Sequence, residues 1–152
     1  IGYTLGRVDI MGDFNPDNFM DDMSRDRRVQ IPFVKAAQKM LKSQGKTLQL
    51  LATQWSPPAW MKTNAKMFPP AHPCFRKMVS STWAQYFVNW ITAYHEQGVP
   101  IWAVTVQHES EKDNDARLEA CLLTPEEEAN FLGTLLGPRL HASHPDVQVF
   151  FS

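Results

Sequence analysis

Four short apolar runs, each followed by a polar connection and then by helix-type periodicity, constrain this 152-residue chain more than any other feature. The runs begin at Tyr3, Leu48, Ile101 and Val147, a spacing of about 45 to 50 residues. Each is too short for a helix and rich in the residue types that favour strands. Between the first two, helical spacing runs from Ile31 through Val34, Ala37 and Leu41, with Pro32 in the first turn and Gly45 at the C-terminal cap. The second helix is the clearest: Trp83, Tyr86, Phe87, Trp90, Ile91 and Tyr94 form one stripe of a 3.6-residue period, and Gly98 ends it. The third opens on Thr124-Pro125-Glu126-Glu127, a Thr cap with Glu three residues later, and turns Phe131, Leu132, Leu135 and Leu136 inward. Gly137-Pro138 is expected to end or kink it. Met11 to Arg28 reads as a polar loop, and the Pro-rich stretch through Pro69, Pro70 and Pro73 as irregular.

Strand, long loop, helix and short turn, repeated in that order, specify a parallel sheet with crossover helices. The connections leaving the strands are long and carry Asp, Trp, His and Glu. The returns, such as Gln44-Gly45-Lys46 and Gln97-Gly98-Val99-Pro100, are minimal. Parallel strands place all their C-terminal ends on one edge, so Asp13, Trp55 and Glu109 should share a rim, the usual seat of chemistry in α/β folds. The central run Ile101 to Val106 should be a strand buried on both faces, with Glu109 just beyond its end.

Formal net charge is -1, from 15 Lys and Arg against 16 Asp and Glu, so there is no basic field to attract nucleic acid or an anionic membrane. No apolar run approaches the roughly 20 residues that cross a bilayer. The ends fall inside apolar segments, which reads as a fragment. Cys74 and Cys121 can pair or remain free thiols; free thiols are preferred, because two cysteines make no framework. His108 beside Glu109 lacks the spacing of a metal site, and His72, His95, His141 and His144 read as surface residues. Trp83, Trp90 and Trp102 read as core, whereas Trp55 and Trp60, among prolines at a strand exit, suit a site equally well.

The runs WSPPAWMKTN (55–64), WAQYFV (83–88) and IWAVTVQHE (101–109), with Cys121-Leu122, Thr124-Pro125-Glu126 and Leu136-Gly137-Pro138 in the same order, resemble the glucosylceramidase-type glycoside hydrolases of family 30. The resemblance covers nearly the whole chain. It implies a partial (β/α)8 TIM barrel, about strands two to five with their helices, so that residues 1–152 would be a fragment of a single catalytic domain. It further implies a retaining β-glycosidase that needs no cofactor. In that mechanism a carboxylic acid protonates the leaving oxygen and a carboxylate about 5 to 5.5 Å away attacks the anomeric carbon.

By the same resemblance Glu109 is the acid/base residue, and the nucleophile belongs to a strand beyond Ser152. Asp13 bonds sugar hydroxyls, Phe14 lines the pocket and Trp55 packs on the sugar ring. Arg7 lies near the nucleophile, although buried pairing with an acidic neighbour is the structural alternative for it. The family pattern Asn-Glu-Pro reads His108-Glu109-Ser110 here. His108 takes the place of an Asn that donates to the sugar 2-hydroxyl, and a protonated His108 would weaken Glu109 as an acid. The implied partner is a β-glucoside, glucosylceramide first, with a membrane-surface lipid as a further partner and no nucleic acid; a family-like location is lysosomal or secreted. Alternatives are a β-glucanase or xylanase of the same family, or a catalytically silent glycan- or glycolipid-binding protein.

Overall fold

The computed structural model describes residues 3–10, 23–68, 73–76, 79–108 and 119–150. Within them lie strands β1 (Leu5–Asp9), β2 (Gln49–Thr53), β3 (Ala103–Thr105) and β4 (Gln148–Phe150), together with helices α1 (Ile31–Lys42), α2 (Ser80–Glu96), α3 (Pro125–Phe131) and α4 (Gly137–Ser143). The strands form one sheet in the order β1-β2-β3-β4, every pair parallel. Strands adjacent in sequence and in space, each return made through a helix, are the repeating unit of a barrel wall.

Register separates two faces of that wall. Val8, Ala52, Val104 and Val149 are partners across the sheet, and the first three join Ile31, Val34, Trp83, Trp90, Ile91, Leu136 and Leu140 in one buried core. This is the helix-covered face. Because side chains alternate along a strand, the other face carries two rows: Arg7, Leu51, Ala103 and Gln148, then Asp9, Thr53, Thr105 and Phe150. That face is mixed in polarity and partly open, with Leu5 56% and Phe150 42% exposed. In a closed barrel it is the interior.

The aromatic stripe of α2 is buried at all six expected positions. Thr124 caps α3 with both bonds of a capping box: Glu127 N–H donates to its hydroxyl and Thr124 N–H donates to the Glu127 carboxylate. Gly45 and Gly98 adopt positive φ after α1 and α2, the left-handed conformation that closes a helix at little cost to glycine.

Several expectations are corrected. The polar stretch is helical at its end, because Ser24 and Arg25 open a helix that continues through a π-helical turn, Asp26–Gln30, into α1. Pro32 does fall in the first turn of α1, as expected, but that turn continues a helix already under way. A second π-helical segment, Leu132–Leu136, precedes Gly137-Pro138, and the chain stays helical to Ser143 rather than ending there. The two prolines share one solution. Ile31 N–H donates to Asp26 O and Gly137 N–H to Leu132 O, an i→i−5 step, and the proline follows one residue later. Its missing N–H thus falls where the ladder returns to the α register, so a proline is tolerated inside a continuous helix. Pro69 and Pro70 of the stretch expected to be irregular lie outside the described residues; one turn of 3-10 helix, Ala59–Met61, precedes that stretch and an antiparallel bridge pairs Lys62 with Phe75. Cys74 and Cys121 form a disulfide. Long-range folding brings their Cα atoms to 5.1 Å, which no local spacing encodes. Trp102 is half-buried, not core, and its ring lies 5.5 Å from that of Phe150. His144 is also half-buried, with Nε2 2.9 Å from Thr92 Oγ1 and 3.3 Å from Val88 O, so it ties the end of α4 to α2.

Candidate active site at the strand C-termini

The C-terminal row of the open face is polar. Thr105 Oγ1 donates to Thr53 Oγ1 at 3.1 Å, which fixes both hydroxyls on neighbouring strands. Beside them stands Asp9, half-buried, with Oδ1 shut away from solvent and without a hydrogen-bond partner among the described residues. Burial pushes its carboxyl up to about 6; the charges of Glu119 and Asp26 add to the rise, and Arg25 and Arg7 oppose it. Behind this row a partly buried network closes the C-terminal end of β1. Tyr94 donates to Asp26 Oδ1 at 2.8 Å, and the Gln30 amide donates to Asp26 Oδ1 and to the backbone carbonyl of Asp9.

The exits of β2 and β3 converge. The rings of Trp55 and His108 lie 4.3 Å apart, centre to centre, tilted by 42°. Backbone fixes them there, because His108 N–H donates to Gln54 O at 2.8 Å. Gln54 is itself held from the helix layer, its Oε1 accepting from Trp83 Nε1 at 2.5 Å. The large aromatic chosen by the periodicity of α2 thus positions a residue of the rim.

A second set of ties joins the far end of the β3 exit. Lys62 is fully buried, and its ammonium donates to Met67 O at 2.5 Å and to Ala120 O at 2.8 Å. Burial lowers its pKa to about 8, while the charge of Glu119 raises it. Gln107, also fully buried, donates through its amide to Cys121 O, and Cys121 is bonded to Cys74.

Among the expected site residues, Trp55 and His108 are brought together. Arg7 lies on the same sheet face, in the row below Asp9, where it is exposed in this segment of the wall and its charge acts on the Asp9 carboxylate. Asp13, Phe14 and Glu109 lie outside the described residues. Sequence reasoning missed Asp9, Lys62, Gln54 and Gln107. Asp9 carried a signal, a carboxylate interrupting an apolar run on alternate positions with Arg7; Lys62 carried a weaker one, a lone cation between apolar and proline segments. Among the described residues no group of three or more His, Cys, Asp and Glu could hold a metal ion, and no helix is long and apolar enough to cross a membrane.

Parallel strands in sequential order, helices on one face, and polar and aromatic groups gathered past the strand C-termini define a TIM-barrel wall of the enzymatic type. The chain belongs to glycosyl hydrolase family 30, whose TIM-barrel domain model it matches over residues 2–151. It is 34% identical to a putative glucosylceramidase 4 of Caenorhabditis elegans, over 94% of this chain and 30% of that protein. It is 30% identical to the lysosomal acid glucosylceramidase of Mus musculus, over 93% of this chain and 28% of that protein. The crystal structure of SrfJ from Salmonella typhimurium superposes with a TM-score of 0.85 at 27% identity, over 98% of this chain and 35% of that one. The chain therefore spans about a third or less of the relatives it matches.

Proposed function

We propose that this chain is one segment of the catalytic barrel of a retaining β-glycosidase that cleaves β-glucosidic bonds, with glucosylceramide as the first substrate and Glu109 as general acid/base. The observation that carries the reading is the Trp55–His108 contact. It draws the exits of two strands into one rim immediately before Glu109, in a chain whose family is that of glycosyl hydrolases. The glucosylceramidase names of two relatives support the substrate.

In this reading the indole of Trp55 offers an apolar face to the C–H groups of a glucose ring, and His108 occupies the position from which a donor reaches the 2-hydroxyl. Asp13 binds sugar hydroxyls and Phe14 lines the pocket. Arg7 projects from the open face toward the nucleophile, whose carboxylate its charge keeps ionised. Glu109 protonates the leaving oxygen, and in the second half-reaction it takes a proton from the attacking water.

The test is hydrolysis of a fluorogenic β-glucoside and of glucosylceramide by the full-length protein that carries these residues, beside Glu109→Gln. Loss of about 10²- to 10⁴-fold in kcat/KM is expected for the variant, the usual worth of a positioned general acid. Equal rates refute the acid/base role. Activity on β-1,6-glucan or xylan alone overturns the substrate, and binding without turnover by the unaltered protein makes it a lectin-like relative.

A further inference from the structure

Asp9, Thr53 and Thr105 end β1, β2 and β3, stand side by side in the register and share the open face. Among them one donor and one acceptor are left over. Thr105 Oγ1 donates to Thr53 Oγ1, which leaves the pair one hydroxyl proton that no described residue accepts. Asp9 Oδ1 is the complementary acceptor. It is shut away from solvent and takes no hydrogen bond from any described residue, although Asp9 and Thr53 are register partners. Arg7 and Arg25 act on the carboxyl through their charge, and neither bonds Oδ1. At about 6 the carboxyl is ionised at neutral pH and can then only accept.

A half-buried charge without a partner costs stability, and two threonines bonded to each other do nothing to relieve it. An apolar residue, as at Leu51 and Ala103 in the row below, would be cheaper. What meets both leftovers at once is a hydroxyl, because it donates one hydrogen bond and accepts another. The setting suits a sugar rather than a lone alcohol. Trp55 lies two residues beyond Thr53, hence within about 7 Å along the chain, and its indole stands beside the His108 ring. A polar floor and an aromatic wall match the O–H and C–H surfaces of a pyranose. We infer that Asp9, with the Thr53–Thr105 pair, is a specificity-determining site for one substrate hydroxyl: the carboxylate accepts from that hydroxyl, and the hydroxyl oxygen accepts the spare threonine proton. This deepens, and rests on, the reading of the rim as a β-glucoside site.

The test crosses Asp9 with the hydroxyls of the substrate. The full-length protein that carries these residues and its Asp9→Leu variant are assayed on a nitrophenyl β-glucoside and on its 2-, 3-, 4- and 6-deoxy forms. A hydroxyl bonded to a charged group is worth about 10- to 100-fold. Asp9→Leu should lose that much in kcat/KM on the parent glucoside and less than about 3-fold on one deoxy form, where the contact is already gone. Each ratio compares two proteins on the same substrate, so intrinsic reactivity cancels. Thr53→Val should couple to the same position, and Asp9→Asn should do so by a smaller factor; circular dichroism establishes which variants are folded, and Asn carries the test if Leu is not. A uniform loss on all five substrates, or no loss, overturns the proposal. So does failure of all three variants to fold, which would make the trio purely structural. Failure of the underlying reading looks different: the natural protein then neither cleaves any of the five nor answers methyl β-glucoside with a change in tryptophan fluorescence, and the proposal falls with it. If the natural protein binds without cleaving, the same ratios are read from dissociation constants and decide in the same way.

Discussion

Replacing Asp9 by Asn tests the electrostatics of the rim most directly, because the swap keeps the shape and removes only the charge. In the folded protein burial, Glu119 and Asp26 raise the Asp9 carboxyl from 3.8 to about 6. A rise of that size is worth about 3 kcal/mol, at ~1.4 kcal/mol per pH unit. Asp9 is only half-buried, and solvent screening brings the figure to about 1–2 kcal/mol. The sign follows from proton counting. Between pH 3.8 and about 6 the folded state holds a proton that the unfolded state has released, so stability falls as pH rises through that window and is level above it. Asp9→Asn should therefore be more stable than the natural protein by about 1–2 kcal/mol at pH 7.5 and indistinguishable from it at pH 4. Equilibrium urea unfolding of the full-length protein at the two pH values measures this, and the other carboxylates cancel in the difference. A gain of the same size at both pH values, or a loss at pH 7.5, would refute the reasoning.

Two further perturbations address the frame that holds the rim. Gly137→Ala would set a methyl 2.8 Å from the carbonyl oxygen of Leu132 and should cost about 1–3 kcal/mol in a thermal or urea melt; Gly133→Ala, with nothing within 4 Å of the new methyl, should be neutral or stabilising by up to about 1 kcal/mol. Similar effects at the two glycines would contradict the π-turn account of how the helix passes Pro138. Thr124→Ala removes the acceptor for Glu127 N–H and should cost about 1 kcal/mol, whereas Thr124→Ser should recover most of it; a melt in which Ala and Ser behave alike would sink the capping assignment.

Helices and strands were legible because each announces itself locally. The stripe of α2 needs only its own 3.6-residue period, and the cap of α3 needs only Thr124 and Glu127. Features that depend on distant partners were not legible. Lys62 finds Ala120 58 positions away and Cys74 finds Cys121 across 47, and nothing beside either residue encodes the meeting. The π turns were hidden for a related reason: proline is read as a stop, yet a one-residue shift of the hydrogen-bond ladder absorbs it.

Asp9 is a different case, since its signal was present and local. A strand of a barrel wall encodes two surfaces at once, one pressed against helices and one lining the interior, on alternate residues. In Leu5–Asp9 the apolar Val8 announced the strand, while Arg7 and Asp9 resembled noise in an apolar run. Register shows that they are the second message: they share a face with Leu51, Thr53, Ala103 and Thr105, and on that face a polar residue near a strand C-terminus meets the polar ends of the neighbouring strands. Polar residues that break an apolar run at intervals of two therefore deserve reading as an interior row rather than as weakness of the strand. Applied to β1 that rule selects Asp9. Applied to β3 and its exit it selects Thr105 and Gln107, a buried hydroxyl bonded across the rim and a buried amide bonded to the backbone carbonyl of Cys121.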